Sequence, residues 1–177
     1  MSATSYLPTN REWFRRLLSG HPHQVIGGPD NPYLRRWYLI PRNPLINVYL
    51  HQFLRSDDDR ALHDHPWWFV SLILRGGYYE HTKTGVRWRG APSLAYRAAT
   101  HRHRVELPGG PEGSGRENDE QPAWTVIVTG RRTRSWGFWC KRLVPWSDTA
   151  RGAYTREVEQ FVPWKDFGDA GCGEVTK

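Results

Sequence analysis

From Ala61 to Glu80 the chain reads ALHDHPWWFVSLILRGGYYE, a long apolar run preceded by two histidines and closed by Gly76-Gly77. In a strand, alternate side chains share a face. Trp67, Phe69, Ser71 and Ile73 then continue the face of His63 and His65, while Trp68, Val70, Leu72 and Leu74 take the other. Both faces are apolar, which predicts a strand buried on both sides. Leu45–Arg55 predicts a second strand, with Tyr49, His51 and Phe53 on one face and turn residues after it. Tyr78–Thr82 and Val86–Arg89 read as a hairpin about Lys83-Thr84-Gly85. In Pro92–Leu107, His101, His103, Val105 and Leu107 share one face and Arg102, Arg104 and Glu106 the other, which points the histidines inward. Trp124–Thr129 and Ser135–Arg142 read as a strand pair joined by a turn around Gly130.

Helical periodicity is confined to Asn10–Ser19, with Asn10 as N-cap and Gly20 as terminator, and to a short stretch at Thr155–Phe161. His21–Pro44 predicts irregular chain with a strand at Leu34–Ile40. Pro108–Pro122, rich in Gly, Pro and charge, predicts a flexible loop. Seven to nine short strands separated by turn signals predict an all-β sandwich or barrel. The division is an N-terminal helix and arm over 1–44, a barrel over 45–144 and a tail over 145–177.

Composition narrows the function. The 177 residues suffice for one domain with a real core. Ten Trp, eight Tyr and six Phe favour aromatic-lined β structure. The net charge of +7 is spread along the chain with no Arg run longer than two, which predicts a solvated basic surface and no specific nucleic-acid partner. No apolar run reaches 18 residues, so no membrane span is expected. Cys140 and Cys172 show no paired spacing, which predicts no disulfide framework and a reducing, cytoplasmic setting.

The histidines carry the chemistry. Two imidazoles at i and i+2 of one strand project into one space, and neutral imidazole is the commonest protein metal ligand. With His103 as a third ligand, or His101 in its place, two or three coordination positions stay open. Such a set suits a divalent ion, Fe(II) first and Zn, Ni, Mn or Cu as alternatives. Ordinary strand histidines bonded to neighbours are the competing reading. Tyr49, His51, Phe69, Ser71, Arg75 and His101 are the candidates for contacting a small-molecule ligand, Arg75 as a receiver of a carboxylate. Asp64 points away from the pair and is expected to support or turn the chain.

These residues resemble the cupin superfamily, whose first motif is His-x-His followed by a Glu and a Gly and whose second supplies one more His. His63-x-His65 matches, Gly76 or Gly77 falls at the motif's Gly, and His103 follows a compatible spacer. Phe69 or Val70 stands at the Glu position, and Ala98 and Thr100 replace the second motif's Pro and Gly. The resulting three-histidine set is similar to that of thiol dioxygenases. The phrases HDHPWWFVSLILRGGYYE, HRVEL and RSWGF are also similar to bacterial and phage cupin-like proteins to which no reaction is attached. The resemblance implies a double-stranded β-helix (RmlC-like jelly roll) with a short N-terminal helix, compatible with a homodimer. It further implies a metal-dependent activity, with dioxygenation of a small anionic substrate leading. A non-catalytic metal- or ligand-binding cupin and a metal-independent sugar epimerase or isomerase are the alternatives.

Overall fold

The computed structural model describes residues 9–57, 61–109, 119–148, 152–167 and Cys172. The one helix among the described residues, α1 (Asn10–Leu18), is capped by Thr9 in place of the expected Asn10. The Thr9 hydroxyl accepts from the Glu12 amide and Glu12 reaches back to the Thr9 amide, so two otherwise orphaned donors are satisfied together.

Twelve strands follow: β1 (Gln24–Ile26), β2 (Leu34–Tyr38), β3 (Asn47–Phe53), β4 (Leu62–His63), β5 (Phe69–Arg75), β6 (Gly77–Thr82), β7 (Gly85–Gly90), β8 (Ser93–Arg97), β9 (His103–Glu106), β10 (Ala123–Thr129), β11 (Gly137–Asp148) and β12 (Gly152–Pro163). They form two six-stranded antiparallel sheets, in the orders β1-β2-β3-β10-β5-β8 and β12-β11-β4-β9-β6-β7. The chain changes sheet between β3 and β4, β4 and β5, β5 and β6, β7 and β8, β8 and β9, β9 and β10, and β10 and β11, so the two sheets are wound together as a jelly roll. At the β5–β6 corner Gly76 has φ +73°, and a Cβ there would meet the Pro122 carbonyl oxygen at 2.6 Å. The core, built from both sheets, centres on Ile73, Tyr78, Val105, Leu107 and Ala123 with Phe53 packed against it.

The all-β class and the N-terminal helix are as the sequence predicts; several local expectations are not. β2 stands where a strand is expected at Leu34–Ile40, but the arm also contributes β1 to the first sheet, so it is less irregular than expected. β10 and the segment from Ser135 do not pair with each other: β10 inserts between β3 and β5, and β11 joins β4 and β12 in the other sheet. Thr155–Phe161 is strand, not helix, because pairing with β11 along twelve registered positions outweighs a weak local helical pattern. Cys140 and Cys172 form a disulfide, with Cα atoms 5.5 Å apart. This corrects the expectation of no disulfide and removes the cysteine argument for a reducing compartment. Of the proposed flexible loop, residues 110–118 lie outside the described residues; its base is tied by the Gln121 amide donating to the Pro108 carbonyl at 2.9 Å. Among the described residues, no helix is long and apolar enough to cross a membrane.

Candidate metal centre

His63 ends the two-residue strand β4, registered directly opposite His103 of β9 on one side and Phe138 of β11 on the other. His65 follows two positions on, its amide donating to the Ala99 carbonyl at 3.1 Å. The three rings converge: His63–His65, His63–His103 and His65–His103 centroids lie 5.1, 5.0 and 5.1 Å apart. One ligand atom from each lies within 4.8 Å of the others. The Nε2 atoms of His65 and His103 are 2.8 Å apart. Two nitrogens bound at about 2.1 Å and roughly 90° on one ion would be separated by about 3 Å, so the spacing fits a shared ion.

The protonation states fit as well. Burial lowers the His63 pKa to about 4, the His103 ring adding to the effect while Asp57 opposes it. Burial likewise holds His65 well below the usual imidazole value, helped by His103 and His63. Both rings are neutral at pH 7 and their lone pairs are free to ligate.

Two carboxylates stand behind the rings. Glu80, on β6 and almost fully buried, faces His103 Nδ1 at 3.2 Å and His101 Nε2 at 3.3 Å through its Oε1. An ionised carboxylate only accepts, so His103 donates from Nδ1 to Glu80 and turns Nε2 toward His65. Arg97 bonds both Glu80 oxygens, and Arg89 Nε donates to Oε2 at 2.9 Å. Burial alone would raise the Glu80 pKa; hydrogen bonds from His101, His103 and Arg97 outweigh it and hold the group far below the ordinary carboxylate range. Asp57 stands beside His63 without a hydrogen bond to it and acts on the ring through its charge. Its Oδ2 lies 3.7 Å from His63 Nδ1, and it is fixed by the Val105 amide at 2.6 Å and by the Tyr33 hydroxyl. Carboxylates placed behind ligating histidines set their tautomer and raise their basicity.

A second group, Glu80, His101 and His103, also brings ligand atoms together. Its carboxylate is already neutralised by two guanidinium groups, so the three-histidine set is the better cation site and the second group its support.

The remaining candidates are distributed around this centre. Phe69 forms a wall, 4.7 Å from His65 and 5.8 Å from His103 between ring centroids, and Trp136 and Phe138 line the His63 side. His101 contacts Glu80, its ring centroid 5.5 Å from that of His103. Ser71, Tyr49 and His51 are buried on the inner face of the first sheet, where His51 accepts from Arg36 Nε at 2.8 Å. Arg75 is exposed and does not join the cluster. The register shift that places Arg75 opposite Trp124 but Ile73 opposite Thr125 reverses the inward parity at the end of β5. Asp64 does not ligate: it accepts from the Gly137 amide at 3.0 Å, Arg134 Nη1 at 2.6 Å and Trp139 Nε1 at 3.2 Å, locking β4 to β11.

Glu80, Arg97, Arg89 and Asp57 are the functional residues that the sequence reading missed. A carboxylate at the centre of an otherwise aromatic strand pattern, Tyr78-Tyr79-Glu80, was the available signal. On the outer side of Glu80 and His101 a groove of about 820 Å³ opens, its walls carrying Lys83, Arg87, Arg89, Arg97 and Arg102.

By its strand order the protein is a double-stranded β-helix, or jelly roll. Solved structures of similar fold include a conserved protein with a double-stranded β-helix domain from Klebsiella pneumoniae (13% identity, 68% of this chain and 92% of that one, TM-score 0.46). They also include a sugar phosphate isomerase from a cupin superfamily of Silicibacter pomeroyi (14%, 70% and 76%, TM-score 0.46) and the Fe(II) form of HppE (13%, 73% and 62%, TM-score 0.45). No protein-family model and no curated protein matches the sequence.

Proposed function

We propose that the protein is a metal-dependent cupin enzyme in which His63, His65 and His103 hold one divalent ion, Fe(II) first, for oxygenation of a small anionic substrate. The observation that carries this reading is the convergence of three imidazoles, His63 and His65 held neutral and His103 with its proton turned to Glu80. A bound ion would supply Lewis acidity and open positions in a neutral ligand set, where its full positive charge favours an anionic partner. The chain's own residues do the rest. Glu80 orients His103 and Asp57 sets a negative charge beside His63; Phe69, Trp136 and Phe138 exclude water; the groove beside Glu80 and His101 carries an excess of cationic side chains, partly paired with Glu80 and Glu159, that favours anions on that face.

The second reading is a metal-holding module without catalysis. Its specific support is that Glu80, the acid nearest His103, is fully engaged by Arg89 and Arg97 and is not free for proton transfer. The test is oxygen uptake by the anaerobically prepared Fe(II) protein with a panel of thiols and small carboxylates. Uptake above the iron-only control with at least one of them, lost in His103→Ala, is the expected result. A metal-bearing protein that consumes no oxygen with any of them would move the assignment to the module.

A further inference from the structure

β5 is apolar on both faces, yet only its inner face is fully buried; Val70 and Leu72 on the outer face are half-buried. Phe69, Ser71 and Ile73 are buried, whereas Leu74 is 51% exposed and the neighbouring Trp68 37%. Strand register extends this outer face into two cross-strand rows. One runs Trp37, Leu50, Val126, Leu72, Leu94 over five strands. The next runs Val48, Val128, Val70, Tyr96. Trp124 stacks on Trp37 at 5.5 Å between centroids and Trp68 lies 6.2 Å from Tyr96, closing two corners. Leu94 and Tyr96 stand 69% and 62% exposed on β8, the free edge of the sheet.

None of these positions is charged, in a chain where 24% of residues are. Charge begins only at the margins, with Arg35 and Arg75. Five strands about 4.8 Å apart and five or six residues long cover roughly 24 Å by 18 Å, so two such faces in contact hide about 900 Å² before side-chain relief is counted. With relief, that reaches the range of a specific interface of about 1,000 Å² or more, and an uncharged apolar face of this size, half-buried at its centre and exposed toward β8, marks a contact surface.

We propose that this outer face is a homodimer interface, two copies packing sheet on sheet about a two-fold axis. A second copy fits because the face offers no charge for a complementary partner to read, and an uncharged face meets its own image without like-charge cost. Aligned sheet packing about 10 Å apart would interdigitate the two rows and give β5 the second covered side that its composition demands. The strand-borne ligands of the metal centre lie on the other sheet, His63 on β4 and His103 on β9, while Tyr96 of this face also lines the groove beside Glu80.

Sedimentation equilibrium of the wild-type chain tests this directly, with Leu94→Arg and Tyr96→Arg as variants. Both positions are exposed in the single chain, so the substitutions leave the monomer's core intact. Wild type at twice the chain mass at about 10 µM, and either variant at single-chain mass with an unchanged circular dichroism spectrum, is the expected pair of results. Wild type at single-chain mass at ten times that concentration overturns the proposal and leaves a segment of the same chain to cover the face. A dimer that survives both variants, or one lost instead in Trp146→Arg on the β11–β12 hairpin, places the interface elsewhere and overturns it too.

Discussion

The Glu80 carboxylate meets two imidazoles and two guanidinium groups, and replacing it separates ligation from support. Glu80→Gln keeps the shape but removes the charge that orients His103 and neutralises Arg89 and Arg97. Metal affinity should fall about 10- to 100-fold, and stability by about 3 kcal/mol, read by competition titration and chemical denaturation; unchanged values for both would deny Glu80 its role. His63 gives a pH dependence. Its folded pKa of about 4 lies below the unfolded value of 6.5, so between the two the unfolded chain binds the extra proton. The metal-free protein should therefore lose stability as pH falls from 6.5 to 4, by about 3 kcal/mol from this ring alone, and level off below. A stability curve flat across that window would mean that His63 is not buried neutral.

At the scale of elements, the histidine triad was legible because His63 and His65 stand two apart and His103 falls on the inward parity of β9, even though β4 ends at His63 and His65 lies beyond it. Glu80 was not, because its role is created by the pairing of β6 with β9, a contact between segments more than twenty residues apart. Arg75 was misplaced by a register shift with β10 that no local pattern announces. The β12 strand was hidden for the same reason, its conformation being set by β11. The disulfide had no sequence signature, since 32 residues separate its cysteines. It ties β11 to Cys172, and closing a loop of that length is worth about 3–4 kcal/mol in the chain-entropy account. Thiol titration of the denatured, unreduced protein should find no free cysteine, and reduction should lower the denaturation midpoint. Two free thiols before reduction would contradict the pairing.

Across the whole molecule, charge and chemistry are segregated. One sheet carries the uncharged outer face; the other carries the histidine centre and, beside it, a groove with five cationic side chains. Four of those five are paired, Arg89 and Arg97 with Glu80 and Lys83 and Arg102 with Glu159, and the scattered remainder of the +7 charge offers no base readout. Binding to DNA or RNA should be weak, insensitive to sequence and gone by about 200 mM salt; a sequence-preferring complex above that salt would require a different account of the groove. The central claim is the metal at His63, His65 and His103, and elemental analysis of protein purified without a histidine tag tests it most directly. The account predicts one divalent ion per chain, Fe(II) when prepared without oxygen, with content well below that level in folded His63→Ala and His103→Ala. Metal-free wild-type protein that takes up no divalent ion on titration, or unchanged content in both variants, would contradict it.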